Sequence, residues 1–258
     1  FMPRGAIMKR NLGGAAMADQ EKVTEHVSRA WYEDGSPKHP YKGETKPVQE
    51  DPKYRPGGGK YTWFKAPRYD GEPCEVGPLA RVLVAYGAGD ETIKGLVDGT
   101  LAKLGVPVQA LFSTLGRTAA RGLETVAIGD AMPGWVMELV ENLKSGDTKT
   151  YEPWEMPDTG MGVGLNDVPR GSLGHWVEIE DKKIKNYQYV VPSTWNLGPR
   201  DEKGKLGPVE EALVGTPIAD PKRPLEVLRT VHSFDPCIAC GVHVIDPESN
   251  QVYDIKVL

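Results

Sequence analysis

The chain has 258 residues, with 31 basic and 36 acidic side chains, a net charge of −5 and an apolar fraction of 39%. This balance offers no basic surface for nucleic acid, and no stretch approaches the roughly 18 uninterrupted apolar residues of a membrane-spanning helix. The first residues, Phe1-Met-Pro-Arg-Gly5, lack the basic start, apolar run and cleavage site of a signal peptide. Because the chain does not begin with methionine, we expect it to be part of a longer polypeptide.

The first 60 residues are rich in glycine, proline and charge, with a short helical pattern from Glu21 to Trp31. Irregular structure is expected from residue 33 to residue 60, which holds five prolines and three consecutive glycines.

Helical periodicity begins at Gly77 and extends to Gly105, with a break predicted at Gly87 and Gly89. A second amphipathic stretch covers residues 106–127, and a third helix is predicted over residues 130–144. The residues predicted to face the core in these two segments are Val108, Leu111, Leu115, Ala119, Leu123 and Val126, then Trp135, Val136, Leu139, Val140 and Leu143.

From residue 171 the pattern changes. Gly174–Glu180 and Ile184–Val191 read as strands around a polar turn, which predicts a hairpin. Short helices are predicted at Val209–Leu213 and Pro224–Val231. The predicted fold class is therefore mainly α with small β elements (α+β).

Three cysteines are too few for a disulfide scaffold. Cys74 is predicted to be a buried apolar residue, whereas Cys237 and Cys240 form a C-x-x-C, followed three residues later by His243. Thiolates select soft or borderline metals, but a closed tetrahedral site needs four ligands. On the residues alone, the pair fits a redox dithiol, half of a zinc site, or a chance arrangement. Three other histidines are predicted to be structural: His39, His175 and His232.

The wider context resembles the large subunit of nickel-iron hydrogenases, of the periplasmic or membrane-bound uptake type. The segments that carry the resemblance are His39-Pro-Tyr-x-Gly-x-Thr45, Lys65–Arg81 (with Pro-Arg-Tyr and Glu-Val-Gly-Pro-Leu-Ala-Arg), Asp167-Val-Pro-Arg-Gly-Ser172, Val190-Val-Pro-Ser-Thr-Trp-Asn196 and Asp235-Pro-Cys-x-x-Cys-x-x-His243. These five segments occur in the same order along the chain as in the family. The resemblance implies that residues 1–243 are the C-terminal part of one large-subunit domain with a helical-bundle fold, and that the activity is reversible heterolytic oxidation of H2.

The resemblance also implies a nickel–iron centre whose iron carries carbon monoxide and cyanide. Cys237 would be a terminal nickel ligand and proton acceptor, and Cys240 would bridge the two metals. Arg170 would face the open side of the metals as a catalytic residue, paired with Asp235. The pocket for the diatomic ligands would be lined by Pro169, Val191, Pro192 and Ser193, with the Ser193 hydroxyl donating to a cyanide nitrogen.

A second metal and a removable tail are implied as well. His243 resembles a ligand of the family's separate magnesium (or iron) site, together with the backbone carbonyl of Tyr189. Residues 244–258 resemble an extension that a maturation endopeptidase removes after the histidine. The strand character of Val252–Leu258 also fits an ordinary edge strand.

The resemblance implies several partners. The family's N-terminal half has no counterpart among these residues, so it would supply two more thiolates and cover an apolar helical face. A small iron–sulfur subunit would take the electrons, and a nickel chaperone would assist the endopeptidase. The expected location is the periplasm, reached with a partner that carries a twin-arginine signal, either free or attached to the cytoplasmic membrane through partners. The alternatives are an H2-sensing relative, a metal-free relative from respiratory complex I, and a zinc-binding structural module.

Overall fold

The computed structural model describes residues 2–48 and 59–237, with the backbone of residues 242–245 and 252–255. Cys240 and the side chain of His243 lie outside the described residues. The chain divides into two compact units. The first comprises Phe1–Ala18, Pro78–Gly162 and Glu178–Asn186, and the second comprises Asp19–Gly77, Val163–Val177 and Tyr187–Leu258.

Three helices form the framework of the first unit: α1 (Pro78–Gly87), α2 (Glu91–Leu104) and α3 (Thr114–Lys144). The predicted break between the first two is confirmed, and Gly89 there has a φ of +81° that favours glycine. The Asp90 side chain caps α2 by accepting a hydrogen bond from the Ile93 amide, and Gly105 ends that helix in the left-handed conformation.

The core of the first unit takes one face from each helix. Its buried residues include Leu79, Val82, Leu83, Ile93, Val97, Leu101, Leu111, Ala120, Leu123 and Ala127. Small residues let α3 pack closely: a β-carbon added at Gly116 would lie 2.0 Å from the carbonyl oxygen of Leu111. The predicted stripe is therefore wrong at Leu115 and Val126, which are 81% and 47% exposed. The buried residues of α3 are Gly116, Ala120, Leu123, Glu124 and Ala127, so the prediction is right at Leu123 and the rest of this face consists mainly of small residues.

The helix predicted over residues 130–144 is the continuation of α3 rather than a separate helix. Its predicted inward-facing side chains are mostly open to solvent in the part of the chain that the structure describes, so this prediction is wrong. The exposed residues of this segment include Met132, Trp135, Val136, Met137, Leu139 and Leu143. We call this segment, Met132–Leu143, the apolar end of α3.

In the second unit, β1 (Val23–His26) pairs antiparallel with β2 (Ala66–Tyr69), and Val23 lies opposite Tyr69. The helical pattern predicted from Glu21 to Trp31 is wrong, because β-branched Val23 and Thr24 begin this strand. The segment described between residues 33 and 48 is irregular as predicted, apart from one 3-10 turn at Pro40–Lys42.

The second unit also contains α4 (Pro192–Leu197), α5 (Pro208–Leu213) and α6 (Leu225–His232). The short helices predicted near residues 209–213 and 224–231 are confirmed as α5 and α6. None of the helices in the described ranges is long and apolar enough to cross a membrane.

A three-stranded sheet has the order β3 (Thr159–Val168), β4 (Gly171–Glu180) and β5 (Lys183–Val190). The predicted β4–β5 hairpin is confirmed, whereas β3 was not predicted, because its three glycines weaken the strand pattern. Further on, β6 (Val242–Ile245) pairs antiparallel with β7 (Val252–Ile255), with His243 opposite Asp254. The fold class, mainly α with small β elements, is confirmed.

A buried ion pair anchors β2. Arg68 is fully buried, and its Nε donates to Asp201 Oδ2 at 3.3 Å. The guanidinium also donates to three backbone carbonyls, those of Pro67, Pro199 and Lys205. Burial by itself raises the pKa of Asp201, but the Lys205 amide and the Arg68 charge outweigh it and hold that pKa below its usual value of 3.8. Asp201 is therefore ionised at neutral pH and compensates the buried guanidinium.

Replacing Arg68 with methionine should lower the free energy of unfolding by about 3–5 kcal/mol, because it leaves the Asp201 carboxylate buried and unpaired. Urea denaturation measures this loss. The matched control is Lys22→Met, which breaks an exposed pair with Asp70 and should cost less than about 1 kcal/mol. Equal losses in the two variants would contradict the role of the buried pair.

Candidate metal centre

Cys237 lies on a short segment that follows α6 and contacts α4. Phe234 is buried, and Asp235 takes a left-handed φ of +52°, with its amide donating to the carbonyl of His232 at 3.0 Å. Two residues later the Cys237 amide donates to Ser193 Oγ at 3.1 Å. The Cys237 side chain is exposed. Its backbone is therefore held while its thiol remains accessible.

The first turn of α4 supplies the acceptor. Val191 is its N-cap and Pro192 is its first residue, where the missing amide hydrogen costs nothing. Pro192 and Ser193 are both buried. The helix thus presents an apolar ring beside a hydroxyl that already accepts one hydrogen bond and still has its own proton to donate.

One turn further along α4, Asn196 is 1% exposed and binds the backbone of Val76 twice. Its Nδ2 donates to the Val76 carbonyl and its Oδ1 accepts from the Val76 amide, both at 2.9 Å. Ser193 and Asn196 are three residues apart, a spacing that makes them neighbours on a helix.

Arg170 lies in the turn between β3 and β4, and both Arg170 and Pro169 are exposed. The turn contacts the segment that Asn196 holds. A β-carbon added at Gly171 would lie 2.7 Å from the amide nitrogen of Gly77, and one added at Gly77 would lie 3.0 Å from the carbonyl oxygen of Arg170. Both glycines have positive φ, +134° and +124°. The Arg170 turn thus packs against Val76–Gly77 so closely that positions 77 and 171 accept only glycine.

Tyr189, near the end of β5, has a side chain that is 58% exposed. The preceding residue, Gln188, is buried, and its Oε1 accepts from Lys65 Nζ at 3.1 Å and from Thr45 Oγ1 at 3.4 Å. A β-carbon added at Gly43 would lie 3.1 Å from Gln188 Cγ. Gly43 and Thr45 of the His39–Thr45 motif therefore fix β5 next to the Tyr189 carbonyl.

The same network contains a buried acid that the sequence did not single out. Glu25 Oε2 lies 3.4 Å from Lys65 Nζ, and burial raises the pKa of Glu25 while Lys65 opposes the rise. Both line a cavity of about 160 Å³ together with Tyr32. No sequence signal pointed to Glu25, because its segment was predicted to be helical and only the structure places it on the buried face of β1.

His39 is structural, as predicted. Its Nδ1 accepts from the Tyr41 amide at 3.2 Å, so the ring proton is on Nε2, which lies 3.0 Å from the Gln20 carbonyl. The Gln20 side chain also accepts from Trp176 Nε1. Both imidazole nitrogens are therefore satisfied.

Comparison with known proteins identifies the family. The sequence model of the family described as nickel-dependent hydrogenase matches residues 1–243. The chain belongs to the nickel-dependent hydrogenase family. It is 43% identical to the uptake hydrogenase large subunit of Bradyrhizobium diazoefficiens, over 99% of this chain and 46% of that protein. It is 40% identical to the hydrogenase-1 large chain of Escherichia coli, over 100% of this chain and 46% of that one.

Solved structures of hydrogenases also match this chain. An H2-activated [NiFeSe]-hydrogenase from Desulfomicrobium baculatum is 36% identical, with a TM-score of 0.72 over 88% of this chain and 46% of that one. The chain spans about half the length of the curated relatives it matches. The resemblance read from its motifs is confirmed.

The residues that the structure describes include Cys237, one of the predicted metal ligands. Within those residues there is no group of three or more His, Cys, Asp or Glu side chains that could hold an ion, and Cys240 and the His243 imidazole lie outside them. The donor that is described fits a nickel–iron centre: Cys237 is an accessible soft ligand, and it adjoins a buried hydroxyl and a proline ring.

The two described cysteines should differ in reactivity. Burial, with a smaller contribution from Glu72, raises the pKa of Cys74 to about 11, so its reactive thiolate is scarce at pH 8. We expect iodoacetamide to modify Cys237 first in the metal-free chain. The modification rate of Cys74 should rise about tenfold per pH unit between pH 8 and pH 10, as measured by peptide mass spectrometry.

Cys74→Ala assigns the slow adduct, because that adduct must disappear in this variant. Modification of Cys74 as fast as Cys237 at pH 8 would contradict the burial of its thiol.

Proposed function

We propose that this chain is the C-terminal half of a hydrogenase catalytic subunit that oxidises H2 reversibly to protons and electrons. The observation that carries the proposal is the hydrogen bond from the Cys237 amide to Ser193 Oγ. It fixes a cysteine with an accessible thiol against the turn that holds Pro192 and Ser193. Membership of the nickel-dependent family and the likeness to uptake hydrogenase large subunits support it.

The family implies a nickel–iron centre, and we assign Cys237 and Cys240 as two of its thiolate ligands. When bound, this centre supplies the redox chemistry for splitting H2 into a proton and a hydride equivalent. Cys237 Sγ, as a terminal thiolate, would hold the proton. The Ser193 hydroxyl would donate to a cyanide nitrogen on the iron, since accepting from the Cys237 amide leaves its own proton available.

Four further residues would complete the surroundings of the centre. Arg170 carries a permanent charge, and we assign it to the open side of the metals, where it orients H2. Asp235 would balance that charge without binding metal. Pro169 and Val191 would join Pro192 in excluding water from the diatomic ligands.

We also assign a magnesium (or iron) ion to His243 and the Tyr189 carbonyl. The support is the rigid setting of β5 at that position. Gln188, beside Tyr189, is buried and held by Lys65 and Thr45, so the Tyr189 carbonyl has a fixed direction. A hard cation prefers such oxygen ligands.

Several partners follow from the proposal. A small iron–sulfur subunit would receive the electrons, since three cysteines cannot carry a cluster relay as well. The N-terminal half of the large subunit would supply two more thiolates, and the apolar end of α3 offers a surface for it to cover. A nickel chaperone and an endopeptidase would complete maturation. The relatives named uptake hydrogenases support a location in the periplasm, either free or attached to the membrane through partners.

The metal content tests the function. Replacing Cys237 with serine should abolish H2 oxidation and remove nickel, because an alcohol is a poor ligand where a soft thiolate is required. Cys74→Ala should retain nickel, since Cys74 packs in an apolar cluster. Elemental analysis gives the metals, and infrared absorption should show iron-bound carbon monoxide and cyanide in the unmodified enzyme. Zinc in place of nickel, with no such bands, would establish the zinc-binding module instead.

The tail offers a separate test. We propose that residues 244–258 are removed after His243, and the end of the family match at residue 243 supports this. Removal would take Val244 and Ile245 from β6 together with all of β7, so the β6–β7 pair exists only before cleavage. Intact mass spectrometry of the active subunit should show a C-terminus at His243.

Cells that lack the endopeptidase provide the control, because their subunit should keep residues 244–258 and be inactive. A fully active enzyme that ends at Leu258 would refute the removal.

A further inference from the structure

The Asn196 side chain has a function that the metal site itself does not explain. It is 1% exposed, and its amide uses a donor and an acceptor on the two backbone groups of a single residue, Val76. Only a side chain with both a donor and an acceptor can make this pair of bonds. An apolar residue at position 196 would leave two partly buried backbone groups without this partner, and an ionised aspartate would place a second acceptor against the Val76 carbonyl.

Val76 and Gly77 in turn support the Arg170 turn. A β-carbon at Gly171 would lie 2.6 Å from Val76 Cγ2 and 2.9 Å from the Val76 carbonyl carbon. The segment is therefore in close contact with α4 on one side and with the Arg170 turn on the other. A shift of Val76 cannot be absorbed in the contact with Gly171, because there is no space there.

The same helix holds the cysteine segment. Ser193, three residues before Asn196, accepts from the Cys237 amide at 3.1 Å. One turn of α4 therefore carries two attachments, one to the Cys237 segment and one, through Val76, to the Arg170 turn. The Cys237 segment and the Arg170 turn are therefore linked through α4 and Val76 by hydrogen bonds of 2.9–3.1 Å.

We propose that Asn196 is a positioning residue, which sets the Arg170 turn relative to the Cys237 segment through Val76. This inference rests on the proposed function, because Arg170 and Cys237 share a role only at the proposed metal centre. It assigns a task to a residue that touches neither metal nor substrate. Reaction geometry is sensitive to such supports, since a misplacement of about 1 Å can reduce a rate by about a hundredfold.

The test is Asn196→Asp in the assembled holoenzyme. The aspartate keeps the size of the side chain and the acceptor for the Val76 amide. In its ionised form it removes the donor to the Val76 carbonyl, so activity and bands are recorded up to a pH at which the carboxyl is ionised. We expect kcat for H2 oxidation to fall about ten- to a hundredfold, while nickel and iron contents stay unchanged. The infrared bands of the iron-bound cyanides should shift, because they report the groups that surround the iron.

Two further variants separate positioning from stability. Gly171→Ala displaces Val76 from the opposite side without touching Asn196, and it should shift the cyanide bands as well. Asp201→Asn weakens the buried pair with Arg68 elsewhere in the second unit. It should lower the melting temperature but leave the cyanide bands and kcat per nickel unchanged.

Each possible result of these experiments either supports or overturns the inference. Unshifted bands and an unchanged kcat in the Asn196→Asp enzyme would overturn the inference. If that variant does not accumulate as holoenzyme, the bands of Gly171→Ala decide in the same way. Failure of both to accumulate while Asp201→Asn does would assign Asn196 a structural role only, which also overturns it. Absence of cyanide bands from the unmodified enzyme would instead refute the proposed function.

Discussion

The hydrogen bond between the Cys237 amide and Ser193 Oγ is the contact on which the candidate centre depends. Cys237 follows a left-handed residue, Asp235, and its segment has little regular structure of its own. Its attachment to α4 gives the thiol a defined neighbourhood. The Cys237 amide is bound by the Ser193 side chain and not by a backbone carbonyl of a strand or helix. The backbone of Cys237 is therefore fixed while its sulfur stays exposed. A metal ligand needs both properties at once.

The second unit contains all the described residues that we assign to the metals, whereas the first unit contributes packing. In that first unit, α1 and α2 bury ordinary aliphatic faces, and α3 is buried through Gly116 and alanines at its beginning and exposes large apolar side chains at its end. The chain spans about half the length of the curated relatives it matches, and we propose that the N-terminal half of the large subunit covers this face.

Much of this architecture could be predicted from the sequence, for identifiable physical reasons. The break at Gly89 and the β4–β5 hairpin follow from local conformational preferences. The assignment of the site residues comes from motif resemblance and stays a proposal. The buried face of α3 was predicted only in part. Leu123 is buried as expected, whereas Leu115 is exposed, because amphipathic patterns assume that every large apolar residue of the stripe lies inside. Asn196 was part of a recognised motif, but its bonds to Val76 join positions 120 residues apart. No periodicity encodes such a contact.

The contact between Gly77 and Gly171 also bears on how such chains can diverge. Neither position contributes a functional group, yet each lies where a side chain would collide with the backbone of the other segment. A descendant could exchange its thiolates for other residues and keep the scaffold intact, provided that both glycines stayed. Loss of either glycine would instead separate the two segments even in a chain that retained every ligand. The pair of glycines therefore marks inheritance of the site's architecture independently of inheritance of its chemistry.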